Sequence, residues 1–398
     1  MRLVMGGESL EGPLTGIGHY TYNLAAELRK RPEIADFKFQ VHGRLLAPSD
    51  LMAELSSSNE GPHEGNHISN FKSKALGKLR AVAAQSTHAV AAYEWLMPHL
   101  EKRSLRHYHG NDVYHSPNYM LPRFPGKRVV SILDLSTYRF PEQHPAARVA
   151  FVNAHIQKSL KSADHIVSIS NTVKNELIDR FKYPEDRITV THLGASTAFR
   201  PHSRSEFCTL AGHLKLSYKG YFLFVSSIEP RKNLERLLDA YLTYRANSAT
   251  SPLPLIIAGA PGWKSQHIHK RLTHYAAKGF VKYLGYVHQQ LLPPLVAGAK
   301  ALLYPSLYEG FGLPVLEAMQ SGTAVMTSKN SAMTEVGGNA VVHIDPYSSN
   351  TIVDALLLLE RDDPALQEII SLGLKRARKF SWVSCADQTF SAYKCVIS

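Results

Sequence analysis

The sequence predicts an α/β protein made of two doubly wound domains with parallel sheets, and three observations carry that expectation. Short, continuous apolar runs rich in β-branched residues recur along the chain, helix-length segments separate them, and a polar stretch interrupts the alternation near the middle. Strands that are apolar throughout, rather than at every second residue, are buried on both faces, as in parallel sheets covered by helices.

The runs are RVVSIL (128–133), HIVSIS (165–170), RITVTHL (187–193), YFLFVSSI (221–228), LIIAG (255–259), ALLYPS (301–306), AVMTS (324–328) and AVVHID (340–345). Ahead of them, a first short strand leads into PLTGIGHYTYNLAAEL, where Gly16 and Gly18 precede a helix with Tyr20, Leu24 and Leu28 on one face. The interruption is STAFRPHSRSEF, which carries Pro201. It divides the chain into a first domain, residues 1–200, and a second, residues 215–380, with the last helix, 383–398, expected to pack back on the first. Residues 56–70, SSSNEGPHEGNHISN, read as a surface loop. Ligands of doubly wound sheets sit outside the carboxyl ends of the strands, so a cleft between the halves is the expected site.

A chain of 398 residues, 44% hydrophobic and 20% charged, has the size and composition of a soluble two-domain enzyme. No stretch approaches the roughly 18 apolar residues of a membrane span, and the first residues lack the pattern of a signal peptide, so a cytoplasmic location is expected. Cys208, Cys385 and Cys395 are too few and too scattered for a disulfide framework or a metal knuckle and read as reduced, structural thiols. The formal net charge of +12 points to anionic partners. Between Lys72 and Arg106, seven basic residues face two acids, Glu94 and Glu101, among apolar side chains. Such a stretch fits either an anionic membrane surface or an ordinary solvated helical face.

The richest motif is YEGFGLPVLEAM (308–319). It follows the strand ALLYPS and runs into a helix expected to begin at Pro314 and to end at Gly322. Gly310 and Gly312 let backbone amides approach a ligand, and the helix amino terminus adds partial positive charge. Glu309 lies before the glycines and Glu317 in the expected first turn, so both carboxylates can serve one crevice, as acceptors for sugar hydroxyls. A second loop, EPRKN, sets Arg231 and Lys232 ahead of Asn233, an expected helix cap, in a pattern suited to a diphosphate. No Walker sequence and no complete dinucleotide fingerprint occurs, which weakens kinase-like and dehydrogenase-like readings.

These segments, with VYHSPNYMLP, VVSILDLS, SADHIVSISNTVKNEL, VTHLGAS, LGYV and VVHIDP in the same order, resemble the retaining glycosyltransferases of family 4 over nearly the whole chain. The resemblance implies the GT-B fold, two Rossmann-like domains facing across a cleft. It implies that Glu309 contacts the donor sugar and Glu317 the nucleotide ribose. The amides of Phe311, Gly312 and Leu313 would hold sugar hydroxyls and phosphate, beside Gly310, and Arg231 and Lys232 the diphosphate. Backbone near Tyr286 and Val287 would meet the base, and Gly16 the diphosphate from the opposite domain. Many relatives carry His-Asp where this chain has Leu133 and Asp134. Asp134 then stands as a catalytic candidate, with His19 and His115 as candidates on the acceptor side.

The expected activity is retaining transfer of a hexose onto a growing, lipid-linked bacterial glycan, from a GDP-sugar carrying mannose or rhamnose. No cofactor is expected, and no metal, since Asp-x-Asp is absent. Attachment to the inner face of the cytoplasmic membrane follows from the basic stretch. A UDP-sugar donor, a nucleotide-sugar epimerase and a glycan phosphorylase on the same fold stay open. A nucleic-acid binder lacks its aromatic-rich basic motif or recognition helix.

Overall fold

A computed structural model describes residues 1–11, 14, 16–51, 103–248, 251–361 and 363–397. The loop at 56–70 and nearly all of the basic stretch from Lys72 lie outside the described residues.

The first lobe holds a seven-stranded sheet in the order β3-β2-β1-β4-β5-β6-β7. Its strands are β1 (Arg2–Gly6), β2 (Asp36–Val41), β3 (Arg44–Leu46), β4 (Val113–Ser116), β5 (Lys127–Ile132), β6 (His165–Ser168) and β7 (Ile188–Val190). All pairings are parallel except β2 with β3, a hairpin turned at His42 and Gly43, both with positive φ. The helices of this lobe are α1 (Gly16–Leu28), α2 (Ser136–Arg139), α3 (Ala146–Ser162) and α4 (Asn171–Phe181). Tyr20, Leu24 and Leu28 are fully buried, as their spacing predicts, but the helix begins at Gly16, so the two glycines form its first turn instead of preceding it.

The second lobe holds a six-stranded, wholly parallel sheet, β10-β9-β8-β11-β12-β13. The strands are β8 (Phe222–Val225), β9 (Leu255–Ala258), β10 (Val281–Gly285), β11 (Ala301–Tyr304), β12 (Ala324–Ser328) and β13 (Val342–Ile344). Counted within the lobe, this is the 3-2-1-4-5-6 order of a dinucleotide-binding sheet, which reverses direction between β8 and β11. Helix α5 (Arg204–Ala211) belongs to this lobe as well: Ser203 and Glu206 close a capping box at its start, and Phe207 is buried against Tyr218 and Tyr221. The second lobe therefore begins about ten residues before the boundary expected at 215. It continues through α6 (Leu234–Asn247), α7 (Gln266–Ala277), α8 (Leu292–Gly298), α9 (Leu313–Gln320), α10 (Ala332–Gly337), α11 (Ser349–Glu360) and α12 (Pro364–Ala377).

The chain then returns to the first lobe as α13 (Trp382–Ile397), which packs on α1 and against β5, β6 and β7. Its buried Trp382, Phe390 and Tyr393 join the core of that lobe. All three cysteines are free; Cys385 is buried in this helix, whereas Cys208 and Cys395 are exposed.

Under α13 runs a closed chain of buried hydrogen bonds. Tyr20 Oη meets Ser131 Oγ at 2.7 Å, Ser131 Oγ meets His115 Nε2 at 2.7 Å, and His115 Nδ1 meets Tyr393 Oη at 2.6 Å. Burial pushes the imidazole down to about 3, so the ring is neutral and both nitrogens are engaged. This removes His115 from the acceptor-side candidates: a fully enclosed, fully bonded ring has nothing to offer a glycan. Tyr393→Phe should leave His115 Nδ1 buried without a partner and lower stability by about 1–3 kcal/mol, read from urea denaturation, with transfer activity within twofold of the parent.

Candidate active site at the seam of the lobes

The loops that follow β8 and β11 flank the switch point of the second sheet and carry EPRKN and YEGFG side by side. After β8 the chain makes a single 3-10 turn, Pro230–Lys232, and Asn233 enters α6 with φ 61°. Asn233 does not cap the helix. Its Nδ2 donates to the carbonyls of Pro305 (3.0 Å) and Pro346 (2.7 Å) and so ties the β8 loop to the β11 loop.

Arg231 and Lys232 are buried, and neither is a free cation. Lys232 Nζ lies 2.6 Å from Glu309 Oε1 and 3.1 Å from Tyr304 Oη. Arg231 Nη1 is 3.2 Å from Glu309 Oε2, and Nη2 donates to Glu229 Oε1 at 2.8 Å. Burial alone would raise the Glu309 carboxyl, but the two cations hold it down at about 2. Burial with the neighbouring Arg231 charge lowers Lys232, and burial raises Glu229. The two cations expected to hold a diphosphate are thus already shared between carboxylates. An incoming anion has to take over donors that Glu309 and Glu229 hold.

The glycine loop differs in the opposite sense. Glu309 N donates to Ser331 Oγ, but no acceptor among the described residues takes the amide hydrogens of Gly310, Phe311, Gly312 or Leu313. Gly312, at φ 98°, turns the chain into α9, which starts at Leu313, one residue before the expected Pro314. The Phe311 ring packs in the core against His192 and Phe380, which anchors the loop while its amides stay open. Glu317 is the fifth residue of α9, past its first turn. It is half-buried, and burial pushes its carboxyl up to about 7.

From the first lobe, the segment after β5 closes on this loop. Leu135 N donates to Tyr308 Oη (3.2 Å), and Tyr308 Oη donates to Glu176 Oε2 of α4 (2.6 Å). A Cβ on Gly310 would stand 1.8 Å from the carbonyl oxygen of Leu133 and 3.0 Å from Asp134 Cβ. The Asp134 carboxylate is partly occupied at home, its Oδ1 accepting from Ser136 N (3.0 Å) and Ser136 Oγ (2.8 Å). At the other end of the seam, His19 Nε2 meets Gln289 Nε2 at 3.1 Å, two residues past Val287. Burial lowers the His19 imidazole. Gly16, three residues before it, is exposed with open space around it, and Tyr286 is 60% exposed.

One further residue reaches the seam that the sequence reading did not single out. His144, between α2 and α3, is buried at 2% exposure, and neither of its ring nitrogens has a hydrogen-bond partner. Its ring lies 5.4 Å from that of Trp263 in the second lobe. Burial and the charge of Arg231 lower it to about 4. The available signal, a histidine between Glu142 and Pro145, was too slight to separate from an ordinary turn.

Gly310→Ala should part the lobes where Leu133 faces Gly310. Misplacement by about 1 Å is enough to lower turnover on the order of a hundredfold. The expected outcome is that loss in kcat with the melting temperature of the second lobe little changed, checked by steady-state kinetics beside calorimetry.

Residues 14–199 match the family described as Glycosyltransferase Family 4, and residues 211–376 match Glycosyl transferases group 1. Over 394 residues the chain is 34% identical to the O-antigen chain mannosyltransferase B of Escherichia coli, covering 99% of this chain and 100% of that one. It is 27% identical to the serotype-specific mannosyltransferase WbdA of Escherichia coli over 56% of its own length and 28% of WbdA's. Among solved structures, HepE of Anabaena, in complex with UDP-glucose, superposes with a TM-score of 0.68 at 17% identity, over 99% of this chain and 100% of that one. WaaG, a glycosyltransferase involved in lipopolysaccharide biosynthesis, does so at 0.66 and 14%, over 100% and 99%. At such identities the likeness is one of fold, and the fold is GT-B. The chain is a glycosyltransferase of family 4, related to the O-antigen mannosyltransferases.

Proposed function

We propose that this enzyme transfers mannose from GDP-mannose, with retention at the anomeric carbon, onto a growing lipid-linked bacterial polysaccharide. The observation that carries the reading is Glu309 held between Arg231 and Lys232 next to four unclaimed amides. The amides at the start of α9 take the diphosphate and the sugar hydroxyls. Arg231 and Lys232 transfer part of their hydrogen bonding from carboxylate to diphosphate as the anomeric bond breaks and charge gathers on the leaving group. Such preorganised donors typically contribute roughly 3 kcal/mol each to lowering the barrier. The cations supply this neutralisation without a metal. The acceptor hydroxyl attacks from the side that the diphosphate leaves, and Glu309, fully ionised, contacts the sugar.

Mannose is supported by the O-antigen mannosyltransferase that this chain matches end to end. No helix among the described residues is long and apolar enough to cross a membrane. Peripheral attachment to the inner face of the cytoplasmic membrane is proposed for the basic stretch from Lys72 to Arg106.

Thermal stabilisation by a panel of GDP-, UDP- and ADP-sugars tests the donor, because ligand bound to the native state raises stability by mass action. GDP-mannose should give the largest shift; a shift with UDP- or ADP-sugars and none with GDP-mannose overturns the assignment. Glu309→Gln, which keeps the shape of the side chain, should lower transfer at least a hundredfold while GDP affinity changes less than threefold. Alanine is the poorer choice there, since removing one partner of a buried ion pair typically destabilises by roughly 3–5 kcal/mol.

Glu317 gives a pH signature. A carboxyl raised to about 7 favours the folded state fully below its ordinary value near 4.5, and that contribution is lost as pH rises through about 7. Glu317→Gln should therefore match the parent near pH 5 and exceed it at pH 8, by up to roughly 3 kcal/mol. GDP binding should move the other way: an ionised Glu317 accepts from the ribose hydroxyls, so the parent should gain affinity between pH 6 and 8 beyond whatever the Gln variant gains.

A further inference from the structure

Among the described residues His144 stands apart in having two buried side-chain atoms without a hydrogen-bond partner. The buried network of Tyr20, Ser131, His115 and Tyr393 leaves neither imidazole nitrogen unused, whereas both nitrogens of His144 are unused at 2% exposure. Leaving a buried donor and acceptor unpaired opposes folding, and an apolar side chain of similar size would remove the penalty. The surroundings show what the ring faces. Its flanking backbone is pinned across the seam: Gln143 O accepts from Trp263 Nε1 (3.0 Å), and Glu142 O accepts from Lys264 Nζ (2.7 Å). Arg148 lies over the Trp263 ring, 4.7 Å from its centroid. The charges that bear on the imidazole are those of Arg231, Asp134, Arg148 and Glu142, the first two belonging to the candidate active site.

We propose that His144 is a donor-sugar contact, its neutral imidazole giving one hydrogen bond to, and taking one from, hydroxyls of the transferred hexose. This rests on reading the seam as a nucleotide-sugar site. The chemical class follows from the state of the ring. A neutral imidazole presents one N–H and one lone pair, which matches hydroxyl groups that both donate and accept. It brings no charge to a diphosphate, and Arg231 and Lys232 already serve that group. The ring packs on Trp263 of the second lobe and feels the charges of Arg231 and Asp134, which places it beside the candidate site.

The test uses the full chain and three variants, His144→Phe, His144→Ala and His144→Asn, with GDP alone and GDP-mannose as probes. The expected result is a loss of at least thirtyfold in kcat/KM for the sugar donor in Phe and Ala, GDP affinity within threefold of the parent in both, and at least fivefold recovery in Asn relative to Ala. The Phe variant, which removes an unpaired polar ring, should melt no lower than the parent. Parent-like turnover in Phe overturns the proposal, since the ring then serves only to pack on Trp263. Equal losses of GDP and GDP-mannose affinity overturn it too, because the contact is then not with the sugar. Should Phe fail to fold, Ala against Asn decides: no recovery in Asn sinks the assignment. A parent that ignores GDP-mannose but is stabilised by another sugar nucleotide refutes the donor instead, and the same contrast is then measured with that donor and its diphosphate.

Discussion

The buried sharing of Glu309 between Arg231 and Lys232 is the constraint on which the rest of the site depends. Three charges held out of water are tolerated only because each is paired and hydrogen-bonded. Their partners fix the surrounding loops: Arg231 donates to the Tyr308 carbonyl, Tyr304 bridges Lys232 and Glu309, and Glu229 holds the far side of the guanidinium. The electrostatics and the loop geometry are therefore one arrangement. Because the cluster sits where β8 and β11 diverge, the same fold that creates a crevice at the sheet's reversal fills its floor with cations. In the proposed reaction a diphosphate entering there meets donors that are already dry, so little solvent has to be displaced when charge develops on the leaving group.

Polar links as well as ring contacts cross between the lobes near the site. Glu335 of α10 accepts from the backbone amides of Asn171 (2.9 Å) and Thr172 (3.2 Å) at the start of α4, and from His192 Nε2 (2.6 Å). Burial would raise that carboxyl, but the bond from His192 and those from the helix start bring it to about 2. With the Tyr308 to Glu176 and Trp263 to Gln143 hydrogen bonds, it makes a seam of directional links. Interfaces of this kind permit relative motion of domains, which a substrate lying between them requires. Helix α13 answers that freedom by returning the chain to the first lobe, so the two lobes are joined by two crossings rather than one linker.

Most of this was legible where burial imposes a pattern. The eight apolar runs all became strands, six of them shorter than the run, because continuous apolarity is required of parallel strands covered on both faces. β2 escaped because Asp36 and Lys38 break its run, and β3 because a three-residue edge strand carries no pattern of its own. The glycine loop and the two cations could be located from sequence spacing, but their bonding could not. EPRKN reads as two exposed cations since nothing local says that Glu309, 77 positions after Lys232, is their partner. Asn233 misled for a related reason: its carboxamide is used by Pro305 and Pro346, distant residues that outcompete the local cap. His115 and His144 show the same limit from both sides. One histidine in a strand motif proved sealed in a network, and one in an unremarkable turn proved buried without a hydrogen-bond partner.

The contrast between those two imidazoles separates structural from functional burial more sharply than exposure does. Both rings are hidden and both are held neutral by burial. Where stability is the use of a buried polar group, its partners come from the protein, as Ser131 and Tyr393 do for His115. Where partners are missing, folding alone does not account for the residue, and a leucine would pack as well. The site then divides its work by charge. In the proposed complex, cations on the second lobe face the group that gains negative charge, and His144 and Asp134 on the first lobe, which carry no net positive charge, lie toward the neutral sugar. Arg231 bears on both sides of the seam: its charge adds to the burial that lowers His144, and together with Lys232 it holds Glu309 ionised.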